Sequence, residues 1–214
     1  MLEKKHFIKG DYEIEYIFDT PNNFDQTKKY PVIFYMHGYG FVKNSFEYLV
    51  GSCPLRRERI PDQLPFILVA PKCNEESWLF RFETVSEFIK SIIDLPFIDK
   101  DKVFLTGSSM GGYTSWMLLQ AHKEWFTASV ICCGGGQYWA GGIGSFNGVA
   151  IKAVHGALDT TVLPREAEIM AQKINNAGGN VELIIHPDLA HDVWTRTFTD
   201  EKLYYWFLEQ KKGK

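Results

Sequence analysis

Residues 107–111 read Gly107-Ser108-Ser109-Met110-Gly111, a Gly-x-Ser-x-Gly pattern. The apolar run Val103-Phe104-Leu105 precedes it, and a segment of helical period with Tyr113, Met117, Leu118 and Ala121 follows. Strand, sharp turn and helix is the context in which a serine at the tip of the turn projects its hydroxyl beyond the sheet edge. Gly107 and Gly111 are needed because side chains two positions either side of that serine would collide, and Gly112 lets the helix pack on neighbouring strands. A serine hydroxyl is a poor nucleophile at neutral pH and requires a base within hydrogen-bond reach. His191 and Asp159 suit that need: each follows an apolar run, as Ser109 does, so all three fall on one edge of a parallel sheet. In such a set the serine attacks an acyl carbon and the histidine takes its proton, then returns it to the leaving group. The aspartate fixes the imidazole tautomer and stabilises the imidazolium.

Each position has a competitor. Asp159, followed by Thr160 and Thr161, also suits a turn or helix cap. Asp188 and Asp192 are rival acids, but they flank His191 on its own loop. His155 and His186 read as structural, and His6 and His122 have no catalytic company. Acyl transfer also develops negative charge on the carbonyl oxygen, which two preorganised backbone N–H groups would hold. The N–H of Met110, directly after the serine, is one donor. The loop His37-Gly38-Tyr39-Gly40 offers the second through Tyr39, with Gly38 or Gly40 as alternatives. Trp194, Tyr138 and Trp139 are candidates for a substrate pocket, and Trp78 either faces the site or packs the helix after it.

The elements that must position these groups follow from the apolar pattern. Residues 12–18 alternate weakly and read as an antiparallel edge strand, followed by a polar turn over 20–30. Residues 32–36 form a continuous apolar run, as in a central strand covered on both faces, and 66–70 form another. Thr84 and Glu87 have capping-box spacing ahead of a helix that buries Val85, Phe88, Ile89, Ile92 and Ile93 and closes at Pro96. After the elbow come a strand over 128–133, a loop over 134–148 holding seven glycines, and a strand over 149–155. A helix with Leu163, Ala167, Met170 and Ile174 ends at Gly178-Gly179; a last strand spans 181–186 and a closing helix 199–210. Strands alternating with helices predict a three-layer α/β/α sandwich around a mostly parallel, twisted sheet, with residues 1–214 as a single domain.

Composition narrows the partners. The chain has 214 residues, 45% of them hydrophobic, and a net charge of -3, which gives no electrostatic case for nucleic acid or an anionic membrane surface. The basic run Lys211-Lys212 with Lys214 reads as a frayed tail. No stretch approaches the roughly 18 apolar residues of a membrane span. The charged start, Met1 to His6, lacks the apolar core of a signal peptide, so a cytoplasmic protein is expected. Cys53, Cys73, Cys132 and Cys133 lack metal-site spacing and read as free buried thiols.

Four segments together resemble the α/β-hydrolase superfamily. They are Tyr30-Pro31-Val32-Ile33-Phe34-Tyr35-Met36-His37-Gly38, Leu105-Thr106-Gly107-Ser108-Ser109-Met110-Gly111-Gly112-Tyr113, Val154-His155-Gly156-Ala157-Leu158-Asp159 and Ala190-His191-Asp192-Val193-Trp194. The resemblance is to its compact esterase branch, which is feruloyl-esterase-like, dienelactone-hydrolase-like and prolyl-oligopeptidase-like. It implies an α/β-hydrolase fold without a large cap domain and a carboxylesterase-type serine hydrolase with no metal or cofactor. The implied substrates are small soluble or sugar-linked esters of acetyl or feruloyl type. Tyr39-Gly40-Phe41 departs from the smaller residues often found after His-Gly, which would narrow the entrance. Two other readings stay open: a serine peptidase or aminoacyl hydrolase, and a catalytically silent binding protein. The aromatics of the glycine-rich loop serve either as a substrate wall or as a homodimer contact.

Overall fold

The computed structural model describes residues 1–136 and 146–213. Eight strands form one sheet: β1 (Leu2–Lys9), β2 (Tyr12–Asp19), β3 (Tyr30–Met36), β4 (Ile67–Pro71), β5 (Ile98–Ser108), β6 (Ala128–Cys132), β7 (Ala150–Gly156) and β8 (Val181–His186). Their order is β1-β2-β4-β3-β5-β6-β7-β8; the β1–β2 and β2–β4 pairs are antiparallel and every later pair is parallel. The elbow strand β5 lies between β3 and β6.

The continuous apolar runs reflect cover on both faces. Val32, Phe34 and Met36 of β3 join one core cluster, while Ile33 and Tyr35 join the other. The first cluster is closed by α2 (Phe82–Ile93), α3 (Met110–His122) and α4 (Arg165–Asn176), through Val85, Phe88, Trp116, Met170 and Ile174 among others. The second is closed by α1 (Phe46–Ser52), α5 (Trp194–Thr199) and α6 (Glu201–Glu209), through Phe46, Leu49, Phe198, Tyr204 and Phe207. This is the expected α/β/α sandwich. Because β6 ends at Cys132 and β7 begins at Ala150, there is no room for a large cap between them.

Several local expectations are corrected. The edge strand is not the one expected over residues 12–18: Leu2–Lys9 forms β1, so β2 is the second strand and β1 the edge. Its side chains are mostly exposed and carry Glu3, Lys4, Lys5 and Lys9, a charged edge that discourages pairing with another chain. Thr84 caps nothing. Helix α2 already starts at Phe82, and the serine cap belongs to Ser77, which accepts the Leu79 N–H at the head of a short 3-10 turn, Trp78–Arg81. That helix stops at Ile93 rather than Pro96. Leu163 lies ahead of α4 and is exposed, leaving Ala167, Met170 and Ile174 as the buried stripe. The closing helix is two helices, because Asp200 interrupts it and caps α6 at the Lys202 N–H. Even the basic tail is tied back, with Lys212 Nζ donating to the Lys100 carbonyl at 3.0 Å. Among the described residues, no helix is long and apolar enough to cross a membrane.

The elbow glycines are enforced by packing. A Cβ on Gly111 would fall inside the Met36 carbonyl, and one on Gly107 inside Ser115 and the Gly111 carbonyl. Gly51, in α1, is different: an added Cβ there meets nothing within 4 Å. Gly111→Ala is therefore expected to lower the melting midpoint by roughly 10 °C. Gly51→Ala should instead raise stability by up to about 1 kcal/mol through helix propensity. Thermal unfolding of both variants checks the contrast, and equal midpoints would contradict it.

Candidate active site

Ser109 sits between β5 and α3 with φ 53 and ψ -119, a conformation costing a non-glycine residue about 1–3 kcal/mol. The surroundings hold it there. Its N–H donates to the Cys132 carbonyl at 3.0 Å, and its own carbonyl accepts from Tyr113 N–H at 3.0 Å. The side chain of the preceding Ser108 is buried and hydrogen-bonded to the Tyr35 hydroxyl at 2.8 Å, so the end of β5 is pinned to the neighbouring β3.

His191 Nε2 lies 2.9 Å from Ser109 Oγ, and His191 Nδ1 lies 2.7 Å from Asp159 Oδ2. A carboxylate can only accept, so Nδ1 carries the proton and Nε2 is free to accept from the serine hydroxyl. The Asp159 side chain is fully buried, whereas 24% of the His191 side chain is exposed. Burial pushes the Asp159 carboxyl up. The hydrogen bonds from His191, Val162 N–H and Thr161 N–H outweigh it and hold the group below its ordinary range. Those backbone donors reach Oδ1 at 3.0 and 2.9 Å, so Asp159 caps a turn and faces the histidine at once. Gly156 permits this: a Cβ there would run into the Ala190 and Leu189 carbonyls. Leu158 N–H donates to the Leu189 carbonyl and Ala157 N–H to that of His186, zipping the acid loop to the histidine loop.

The rival acids are engaged elsewhere. Asp188 forms a two-pronged pair with Arg196 at 2.9 and 2.6 Å, and this bond brings its carboxyl down to about 2. Asp192 takes the Thr195 N–H and hydroxyl at the start of α5. His6 pairs with Glu13, and His122 stacks on Trp125. Trp194 packs edge-on against the His191 ring, centroids 5.4 Å apart, with its other side on the core. Trp78 is buried, and its indole N–H donates to the His37 carbonyl at 3.0 Å; it packs the core and braces the loop after β3. Tyr138 and Trp139 lie outside the described residues.

That loop lies against the elbow. A Cβ on Gly38 would sit 3.4 Å from Ser109 Cβ and 3.3 Å from the Ser108 carbonyl. Tyr39 begins a 3-10 turn, Tyr39–Phe41, and its side chain is exposed, while Phe41 packs on His37 and Tyr48. Two buried groups fasten the loop, and neither was expected from the sequence. His37 accepts the Cys73 N–H at Nε2, 2.9 Å away, so its Nδ1–H donates to the Gly38 carbonyl at 2.8 Å. Lys72 Nζ donates to the Val42 and Cys73 carbonyls at 2.9 and 3.0 Å. The only signal for them was their place at the ends of β3 and β4.

The four cysteines are free and buried. Cys133, Asp159 and His191 each bring one ligand-type atom within 4.8 Å of the others. Burial pushes the Cys133 thiol well up, and His191 and Asp159 are already bonded to each other, so the donor set favours a proton relay over a cation.

The sequence model of the family described as phospholipase/carboxylesterase matches residues 69–206. A protein named probable feruloyl esterase C from Aspergillus flavus is 30% identical over 164 residues, covering 73% of this chain and 60% of that one. Its namesake from Aspergillus oryzae is 32% identical over the same length, again covering 73% and 60%. The chain thus spans about 60% of the length of these relatives. Among solved structures, a thermostable esterase superposes with a TM-score of 0.77 at 22% identity, over 99% of this chain and 63% of that one. At that identity the likeness concerns the fold.

Burial holds His37 neutral, bringing it from 6.5 down to about 3. Below pH 6.5 the unfolded chain binds this proton and the folded chain does not. The stability His37 contributes is therefore present above pH 6.5 and is lost as pH falls towards 3, by about 1.4 kcal/mol per unit. In His37→Gln, which does not titrate, the stability gap to wild type should shrink by roughly 2 kcal/mol between pH 7 and 5. Urea unfolding at both pH values measures the gap, and a constant gap would refute the assignment.

Proposed function

We propose that this chain, which belongs to the phospholipase/carboxylesterase family, is a serine hydrolase that cleaves carboxylic esters through an acyl-enzyme. The observation that carries this reading is the unbroken chain of contacts from Ser109 Oγ to His191 at 2.9 Å and from His191 to buried Asp159 at 2.7 Å. Ser109 Oγ attacks the ester carbonyl carbon as its proton passes to His191 Nε2. Asp159 stabilises the imidazolium, which then protonates the departing alkoxide. Water enters by the same route in reverse, frees the acid and restores the serine. The N–H groups of Met110 and Tyr39 hold the oxyanion; the close approach of Gly38 to Ser109 supports the second of these.

The substrates proposed are small or sugar-linked esters of acetyl or feruloyl type. The names of the Aspergillus relatives support the feruloyl member, and the lack of room for a large cap between β6 and β7 suits an ester displayed on a bulky alcohol. Esters are favoured over amides because an alkoxide leaves more readily than an amine.

Hydrolysis of nitrophenyl esters from acetyl to octanoyl, with a feruloyl member and a matched anilide, tests the reading. Wild type should cleave esters at least tenfold faster than the anilide, and Ser109→Ala should lose about a thousandfold or more in kcat. A fluorophosphonate should label wild type at Ser109 and leave the variant unlabelled. Ester cleavage retained in Ser109→Ala would overturn the mechanism, and preference for the anilide would move the assignment to a peptidase.

A further inference from the structure

We infer that His155 is a positioning residue for the acid of the triad, a role that rests on the serine-hydrolase reading above. His155 stands next to last in β7, four residues before Asp159, and its side chain is fully buried. Its Nε2 lies 2.9 Å from the Val162 carbonyl oxygen and 3.3 Å from Asp159 Oδ2. Both neighbours only accept, because Asp159 is held ionised. Nε2 must therefore carry the proton, and its N–H donates to the Val162 carbonyl, with Asp159 Oδ2 beside it. Nδ1 is then a bare acceptor, and it is buried with no hydrogen-bond partner among the described residues.

An orphaned buried acceptor costs about 1–3 kcal/mol, so an apolar residue would be the more stable filling for this space. What the histidine supplies in return is its Nε2–H, which donates to the Val162 carbonyl and lies beside the triad carboxylate. Asp159 itself has three donors: Thr161 and Val162 N–H on Oδ1, and His191 on Oδ2. The bond from His155 reinforces this arrangement, because the Val162 it holds by the carbonyl is the residue whose N–H holds Oδ1. The carboxylate is thus fixed in plane and tilt, with Oδ2 directed at His191 Nδ1. Among the described residues, His155 makes no bond to Ser109 or His191, so it acts only through Asp159.

Three substitutions separate this role from simple packing. In Gln the side-chain amide nitrogen reaches the Nε2 position, in Asn it reaches only the Nδ1 position, and Leu offers no donor. Steady-state kinetics on a nitrophenyl ester, with melting midpoints measured alongside and Ser109→Ala as the reference, should give a loss of about 10- to 100-fold in kcat for His155→Asn and His155→Leu. KM should stay within about twofold, and His155→Gln should recover most of the rate. Wild-type kcat in folded His155→Asn or His155→Leu would overturn the proposal. So would a loss confined to KM, or one that Gln shares in full. If Leu does not fold, Asn against Gln decides alone. Activity retained in Ser109→Ala would instead sink the hydrolase reading, which keeps the two failures distinct.

Discussion

The close approach of α3 to the carboxyl edge of the sheet is the constraint on which the site depends. Helix packing ordinarily keeps side chains between an axis and the strands it covers. Here, at Gly107, Gly111 and Gly112, backbone meets backbone, with the Met36, Gly111 and Cys132 carbonyls where a Cβ would be. That closeness forces the chain to turn within one residue, and the residue at the turn is Ser109 at φ 53. Strain of this kind persists only where the surroundings over-determine the conformation. They do so through the Ser109–Cys132 and Ser109–Tyr113 backbone bonds and the buried Tyr35–Ser108 pair. The hydroxyl is presented outward because the backbone has no other way through.

The same economy governs the other two loops. Asp159 and His191 come from neighbouring strands, β7 and β8, and their loops are joined by backbone bonds made possible by Gly156. A buried carboxylate is expensive unless its lone pairs are satisfied. Asp159 has donors on both oxygens, which is why it stays ionised despite full burial. On the other flank of Ser109, the loop after β3 is fastened by a neutral histidine and a buried lysine. Between these fastened loops the imidazole of His191 is the partly exposed member of the set.

Much of this was legible in the residues. Ser109, Asp159 and His191 announce themselves because an apolar strand ends immediately before each loop, so parallel topology alone brings them to one edge. The layers were legible for the same reason, since runs such as residues 32–36 have no polar face. What escaped was signalled by neither period nor motif. β1 has almost no buried side chain, and its strand character comes from pairing with β2 rather than from hydrophobic alternation. The cap of α2 was misplaced because Thr84-x-x-Glu87 fits a motif that tertiary packing overrode: the chain is already turning at Ser77, and the helix is under way by Phe82. His37 and His155 looked alike in sequence, each closing an apolar strand before a glycine. Only their partners in space separate a loop brace from a neighbour of the triad acid.

That pair of histidines bears on how the chemistry is divided. Three imidazoles lie at or near the site, yet burial keeps His37 neutral, and the acceptors around His155 fix its tautomer with the proton on Nε2. Neither has an unshielded nitrogen pointing at Ser109. His191 alone has one nitrogen tied to an anion, the other facing the serine hydroxyl, and access to solvent. In the proposed mechanism proton traffic is thereby confined to one ring, although the sheet edge is rich in the same side chain. On that proposal an imidazole serves as general base because of what its second nitrogen is bonded to, and among the described residues only His191 joins that bond to a contact with Ser109.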